Sequence, residues 1–347
     1  MKSASFTMIQ AGPIRLRFHR RTLRAATFFV LASAIIAAAN LMFGEQFIHP
    51  SRVWQALIGK GLTEDVLIVQ TLRAPRLIVA FLVGASLAVS GAILQGVIRN
   101  PLAAPDVIGI TGGASVGAVA FITYAPAAAS IALLPLSAVI GAFGAALLVY
   151  LLAWKKGVNP VRLVLVGIGI ASLLSAITTF MLVFSPAYSA SSSYIWLTGT
   201  VYGSSWKHVW NLLPWTVVLM VIVSGYLRQI NLQVLGDDIA AGLGSRVQLN
   251  RLILILLSVA LAGSAVSMGG VIGFVGLIAP HAARRLVGPV TGRLIPVAAL
   301  FGGCVVALAD LIARTAFMPL DIPVGVFTSG IGAPFFIYLL YRTRNSR

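Results

Sequence analysis

From Leu77 to Gly113 the chain reads LIVAFLVGASLAVSGAILQGVIRNPLAAPDVIGITGG. Its first part, Leu77 to Val97, carries no charge and is long enough as a helix to cross a hydrocarbon core about 30 Å thick. Arg99, Asn100, Pro101, Pro105 and Asp106 then interrupt it, and a second apolar run opens at Val107. The two prolines disfavour helix just before themselves, so the interruption is a sharp turn between two spans. The whole chain has the same character. Of its 347 residues 59% are hydrophobic and 10% charged, where soluble domains carry roughly 45–50% and 25%.

Working outward from this stretch, similar runs recur at Ala25–Gly44, Ile131–Ala153, Val161–Phe184, Val209–Leu227, Leu252–Met268, Val271–Ala279, Leu294–Ala313 and Ile322–Tyr341. With Leu77–Val97 and Val107–Tyr124 they predict an all-α integral membrane protein of about ten transmembrane helices in one compact bundle. The eighth, Val271–Ala279, is short and needs protein or water at its ends, because lipid leaves bare backbone groups unsatisfied. Tyr194–Gly203 reads as a half-helix. No linker divides the chain, so the expected organisation is a basic N-terminal extension (1–24), a ten-helix domain (25–341) and a basic tail (342–347).

The net charge of +17 invites a nucleic-acid partner, but its distribution excludes one. If ten spans alternate from a cytoplasmic N-terminus, only Arg52, Lys60, Arg73, Arg76, Lys207 and Arg314 of the 25 Lys and Arg fall outside. That is the positive-inside pattern of a multi-pass protein with both termini cytoplasmic. The first apolar run is long enough to span and no small-residue cleavage site ends it, so it is read as an uncleaved helix. The single Cys304 lies in an apolar run, which gives neither a disulfide framework nor a cysteine metal site.

A phosphate-binding loop needs Gly-Lys followed by Ser or Thr. The one Gly-Lys pair, Gly59-Lys60, is followed by Gly61, and no HExxH occurs. The four histidines are scattered, so the expected catalytic and metal residues are none. Gly109, Gly113 and Gly117 bare one helix face at four-residue intervals, which lets another backbone approach. Arg73 and Arg76 in LRAPR, with Arg314 in ALADLIAR, suit either interfacial snorkelling or docking of an acidic partner. The small residues of GDDIAAGLGSR, from Gly236 to Arg246, make either a clasping surface or an ordinary turn.

The stretch RAPRLIVAFLVGASLAVSGAILQGVIRNPLAAPDVIGITGGASVGA, with GFVGLIAPHAARRLVG, ALADLIAR and DIPVGVFTSGIGAPFFIYLL, strongly resembles the FecCD-type permease subunits of ATP-binding-cassette importers for iron-siderophore, heme and vitamin B12. The resemblance runs from about Val53 to Tyr341. It implies the type II importer permease architecture in a bacterial cytoplasmic membrane. The implied partners are a second permease subunit, two ATPase subunits that hold ATP and Mg, and an extracytoplasmic binding protein. This chain would bind no cofactor itself. The resemblance places a cytoplasmic gate at Asn100 and Leu102, with a second element near Pro160 and Val161. It places binding-protein docking on Arg73, Arg76 and Arg314. Coupling to the ATPase falls on Asp238, Ala240, Ala241, Gly244 and Arg246, with His281, Arg284 and Arg285 as further contacts. Ferric siderophore is the expected cargo, ahead of heme or vitamin B12. The rival class, an ion-coupled carrier, predicts buried mid-helix carboxylates.

Overall fold

The computed structural model describes residues 6–11, 14–126 and 130–344. It opens with an antiparallel hairpin, β1 (Phe6–Ala11) and β2 (Ile14–His19), which pairs Phe6 with His19 and was not expected from the basic extension. The last part of the expected basic tail, 345–347, lies outside the described residues.

The helices follow in order: α1 (Arg20–Met42), α2 (Pro50–Leu57), α3 (Thr63–Val66), α4 (Ala74–Ile98), α5 (Ile110–Tyr124), α6 (Leu134–Ala153), α7 (Pro160–Val183), α8 (Ala187–Leu197), α9 (Trp206–Leu235), α10 (Asp237–Gly242), α11 (Val247–Gly269), α12 (Val275–Val287), α13 (Thr291–Thr315) and α14 (Val324–Arg344). Among the described residues seven helical stretches are long and apolar enough to cross a membrane, and α5 and α14 are shorter apolar helices. With α12 they correspond one for one with the expected segments.

Three boundaries differ. The stretch Glu45–Arg76, between the first two expected runs, folds into α2 and α3, and α3 continues through a π-helical turn (Leu67–Arg73) straight into α4. The half-helix is α8, which starts at Ala187 rather than Tyr194, and Gly199 and Gly203 are turn residues with φ of 75° and 72°. The eighth span begins at Val275 and runs to Val287. His281, Arg284 and Arg285, which follow the end of the expected eighth run at Ala279, therefore lie on α12, where Gln95 of α4 takes up Arg284.

Burial sorts the helices into an inner and an outer set. The spanning windows that contain α4 and α11 are 83% and 78% buried, against 11% for α1 and 17% for α7. α4 is the hub and packs on α13, α11, α12 and α9. Glycine makes this possible, since lipid tails give no hydrophobic drive between helices and close van der Waals contact must supply it. A Cβ on Gly91 would lie 1.8 Å from the Gly276 carbonyl oxygen of α12, and one on Gly84 would lie 2.2 Å from that of Gly302 on α13.

Between α11 and α12 the backbone is not helical, with Gly270 and Phe274 at φ of 66° and 65°. Protein surrounds this break. A Cβ on Gly270 would lie 2.3 Å from the Trp196 oxygen, and one on Gly199 would lie 2.5 Å from the Val271 oxygen. Irregular backbone is tolerable at membrane depth when other chain segments enclose it in this way. The bundle presents two polar ends, one around Arg73 and one around Asp237.

Candidate functional site

At the Asp237 end, α4 stops at Arg99, whose φ and ψ of 57° and 32° are left-handed. Glycine or asparagine usually fills that position, and another residue there costs about 1–2 kcal/mol. Asn100 then closes the turn, its Oδ1 accepting from the Leu102 amide at 2.9 Å. Asn100 is exposed and Leu102 half-buried. A 3-10 turn, Pro105–Ile108, leads to Gly109, which starts α5. Asp106 accepts from the Thr111 hydroxyl at 2.6 Å, so it ties the turn to α5 through a side chain.

The three glycines of α5 separate here. A Cβ on Gly113 would meet the Gly141 oxygen at 2.2 Å, and one on Gly117 the Ser137 oxygen at 2.3 Å, so both admit α6. Gly109 is required for its φ of 75° instead, since a Cβ there would find its nearest neighbour at an ordinary 3.7 Å. Gly113 to Gly117, GASVG, has the spelling of a hydrolase nucleophile elbow. It sits within continuous helix, however, with the Ser115 hydroxyl donating to the Thr111 carbonyl at 2.8 Å.

The second expected gate element starts α7. Asn159 caps the helix, its Oδ1 accepting from the Val161 amide at 2.8 Å, while Pro160 is buried and Val161 is 67% exposed. α7 packs against the turn that follows α4, where a Cβ on Gly167 would lie 1.9 Å from the Val107 oxygen. Both stretches thus belong to one end of the bundle and are joined by helix contact.

The short helix α10 stands beside them. Ala240 is fully buried against the bundle, whereas Asp238, Ala241, Gly244 and Arg246 are exposed. Gly244 has φ of 79° and open space around it, so the turn requires it. Val234, Leu235, Ile239, Leu243 and Leu249 are each about half exposed around α10. An apolar patch at a polar membrane end marks an interaction surface.

At the Arg73 end the three arginines line one cavity of about 400 Å3, with Glu45, Tyr202 and Asp321. They are not free surface charges. Arg73 is 5% exposed and donates to the carbonyls of Leu41, Met42 and Gln46 at 2.6 to 2.9 Å. Arg314 donates to the Asn40 carbonyl and to Asn40 Oδ1. Together they cap the C-terminus of α1, where cations suit unsatisfied carbonyls. Arg76, 8% exposed, forks onto Asp310 at 2.7 and 2.9 Å and onto Asp321 at 2.5 and 2.9 Å, with Tyr202 across its face.

Sequence reasoning missed Asp310 and Asp321. Asp310 stands four residues before Arg314 on one helix face, a spacing that joins charges on one helix, and that spacing was the available signal. It is a fully buried carboxylate within α13, but an arginine holds it.

The FecCD transport family model matches residues 30–342. The chain belongs to the FecCD transport family. It is 49% identical to the "Probable siderophore transport system permease protein YfhA" of Bacillus subtilis, over 91% of this chain and 93% of that one. It is 48% identical to the achromobactin transport system permease protein CbrC of Dickeya dadantii, over 95% of each. The cobalamin import system permease protein BtuC of Halobacterium salinarum is 45% identical over 79% of this chain and 73% of its own length. Among solved structures, one described as an inward-facing conformation of a metal-chelate type ABC transporter superposes with a TM-score of 0.81 at 30% identity, over 92% of this chain and 99% of that chain. This FecCD chain is therefore a multi-pass ABC-transporter permease.

Proposed function

We propose that this chain forms the translocation path of a binding-protein-dependent importer for a ferric siderophore complex, in a bacterial cytoplasmic membrane with both termini in the cytoplasm. The observation that carries the reading is the exposed helix α10 with its apolar surround, at the same end as the gate turn. A partner ATPase seats on Asp238, Ala241, Gly244 and Arg246 there, and Ala240 anchors the helix from inside. ATP binding and hydrolysis in that partner drive alternating access. The gate at the inner end comprises Asn100, Leu102, Pro160 and Val161. The Arg73 end faces outward and receives the binding protein. A second permease subunit completes the path.

Siderophore is preferred because a relative named for siderophore transport is matched over 93% of its length, while one named for cobalamin import is matched over 73%. The ion-coupled alternative is disfavoured because Asp310, the fully buried carboxylate of α13, stands five residues from the end of that helix and is held by Arg76. Affinity purification from the native membrane in mild detergent tests the reading. An ATPase carrying a phosphate-binding loop should co-purify in stoichiometric amount. Recovery of the chain alone, transporting in vesicles without ATP, would overturn it.

A further inference from the structure

We infer that Asp237 is the joint through which α10 moves both gate elements, with Arg99 and Arg251 as its two arms. The inference rests on the coupling role proposed above for α10. Asp237 is the first residue of α10, and one of its carboxylate oxygens, Oδ1, receives both arginines. Arg99 comes from the turn that carries Asn100 and Leu102. Arg251 comes from α11 and donates at 2.6 Å.

The second arm continues past Asp237. Arg251 is fully buried and also donates to the Val158 carbonyl and, at 3.0 Å, to Gln233. Near the start of α11, Gln248 accepts from the Val158 amide at 2.9 Å. Both backbone groups of Val158 are thus held by α11, just before Pro160. A displacement of α10 reaches Leu102 through Arg99 and Val161 through Arg251.

Two features separate this from an ordinary salt bridge. Arg99 occupies a left-handed position that glycine would hold without strain, yet it carries the side chain that reaches Asp237. The pairs also span 138 and 14 residues of sequence, which brings α4, α10 and α11 to one point. Packing alone requires no charge there, because the fully buried Ala240 already seats α10. Arg99 and Asp237 are both partly exposed, so replacing Arg99 leaves Asp237 paired with the buried Arg251.

The test uses the assembled transporter in proteoliposomes, with Cys304→Ser as background and single cysteines at Leu243, Leu102 and Val161. Maleimide labelling of this chain is followed with and without Mg-ATP. With the joint intact, ATP should change labelling at least fivefold at all three positions. Arg99→Gln should leave the response at 243 and 161 and cut that at 102 below twofold, with Arg99→Lys restoring part of it. Asp237→Asn should blunt both 102 and 161. A full response at 102 in Arg99→Gln would sink the joint while leaving the coupling role standing. Absence of any ATP response at 243 in the otherwise unsubstituted background would overturn the coupling role and the joint with it.

Discussion

The arginines at the Arg73 end divide by what holds them. All three guanidinium nitrogens of Arg76 face two carboxylates, so an acidic partner gains it only by displacing one of them. Asp310 is fully buried and Asp321 retains 26% of its side-chain exposure, which makes Asp321 the displaceable member. Asp310→Ala should cost about 3–5 kcal/mol, because it removes the fully buried partner of Arg76 and leaves the partly exposed Asp321 alone to hold it. Asp321→Asn should cost about 1 kcal/mol or less. Thermal unfolding in detergent distinguishes them, and equal losses would show that the two carboxylates do the same work. If docking uses Arg76, Asp321→Asn should also tighten the binding protein several-fold, measured by surface plasmon resonance on the purified permease. Unchanged affinity would leave docking to other groups. The sequence displayed the arginines but not their engagement, because Asp310 and Asp321 lie 234 and 245 residues from Arg76. Pairing over that distance has no local trace in one chain.

At the scale of elements, apolar length revealed every span, since a bilayer imposes it on each helix separately. Boundaries were less legible where helix and apolar run part company. In α12 the run fades at Pro280 and His281, yet the helix continues to Val287, and along it Arg284 donates to Gln95 of α4. Beyond the spans, α2 and α3 escaped notice since an interfacial helix has no obligatory apolar stretch. Glycine was legible as a packing signal but not as to which partner it admits. Gly91 and Gly144 make the contrast testable: a methyl on the first would run into the Gly276 oxygen, and one on the second would meet nothing within 4 Å. Gly91→Ala must push α4 and α12 apart and should abolish recovery of folded protein. Gly144→Ala should be neutral or stabilise by up to about 1 kcal/mol, the helix-propensity gain. Size-exclusion profiles and detergent melts read both.

For the whole molecule, charge distribution and structure address the same question from different sides. The alternation of Lys and Arg predicts a cytoplasmic Asp237 end. Independently, the exposed apolar patch around α10 lies at that end, and the arginine-lined cavity with Tyr202 at the other. An importer needs this polarity: ATP is cytoplasmic, so the surface that meets the ATPase must be too, and delivery must occur opposite. Orientation is therefore a prediction that the chemistry of the two ends makes jointly. In intact spheroplasts of a Cys304→Ser background, a membrane-impermeant maleimide should label Tyr202→Cys, where the native side chain is 69% exposed. Leu243→Cys, 56% exposed in its native form, should label only after permeabilisation. The reverse pattern would place the apolar patch outside, beyond reach of any ATP-driven partner, and the energy source would then have to enter through the bundle itself.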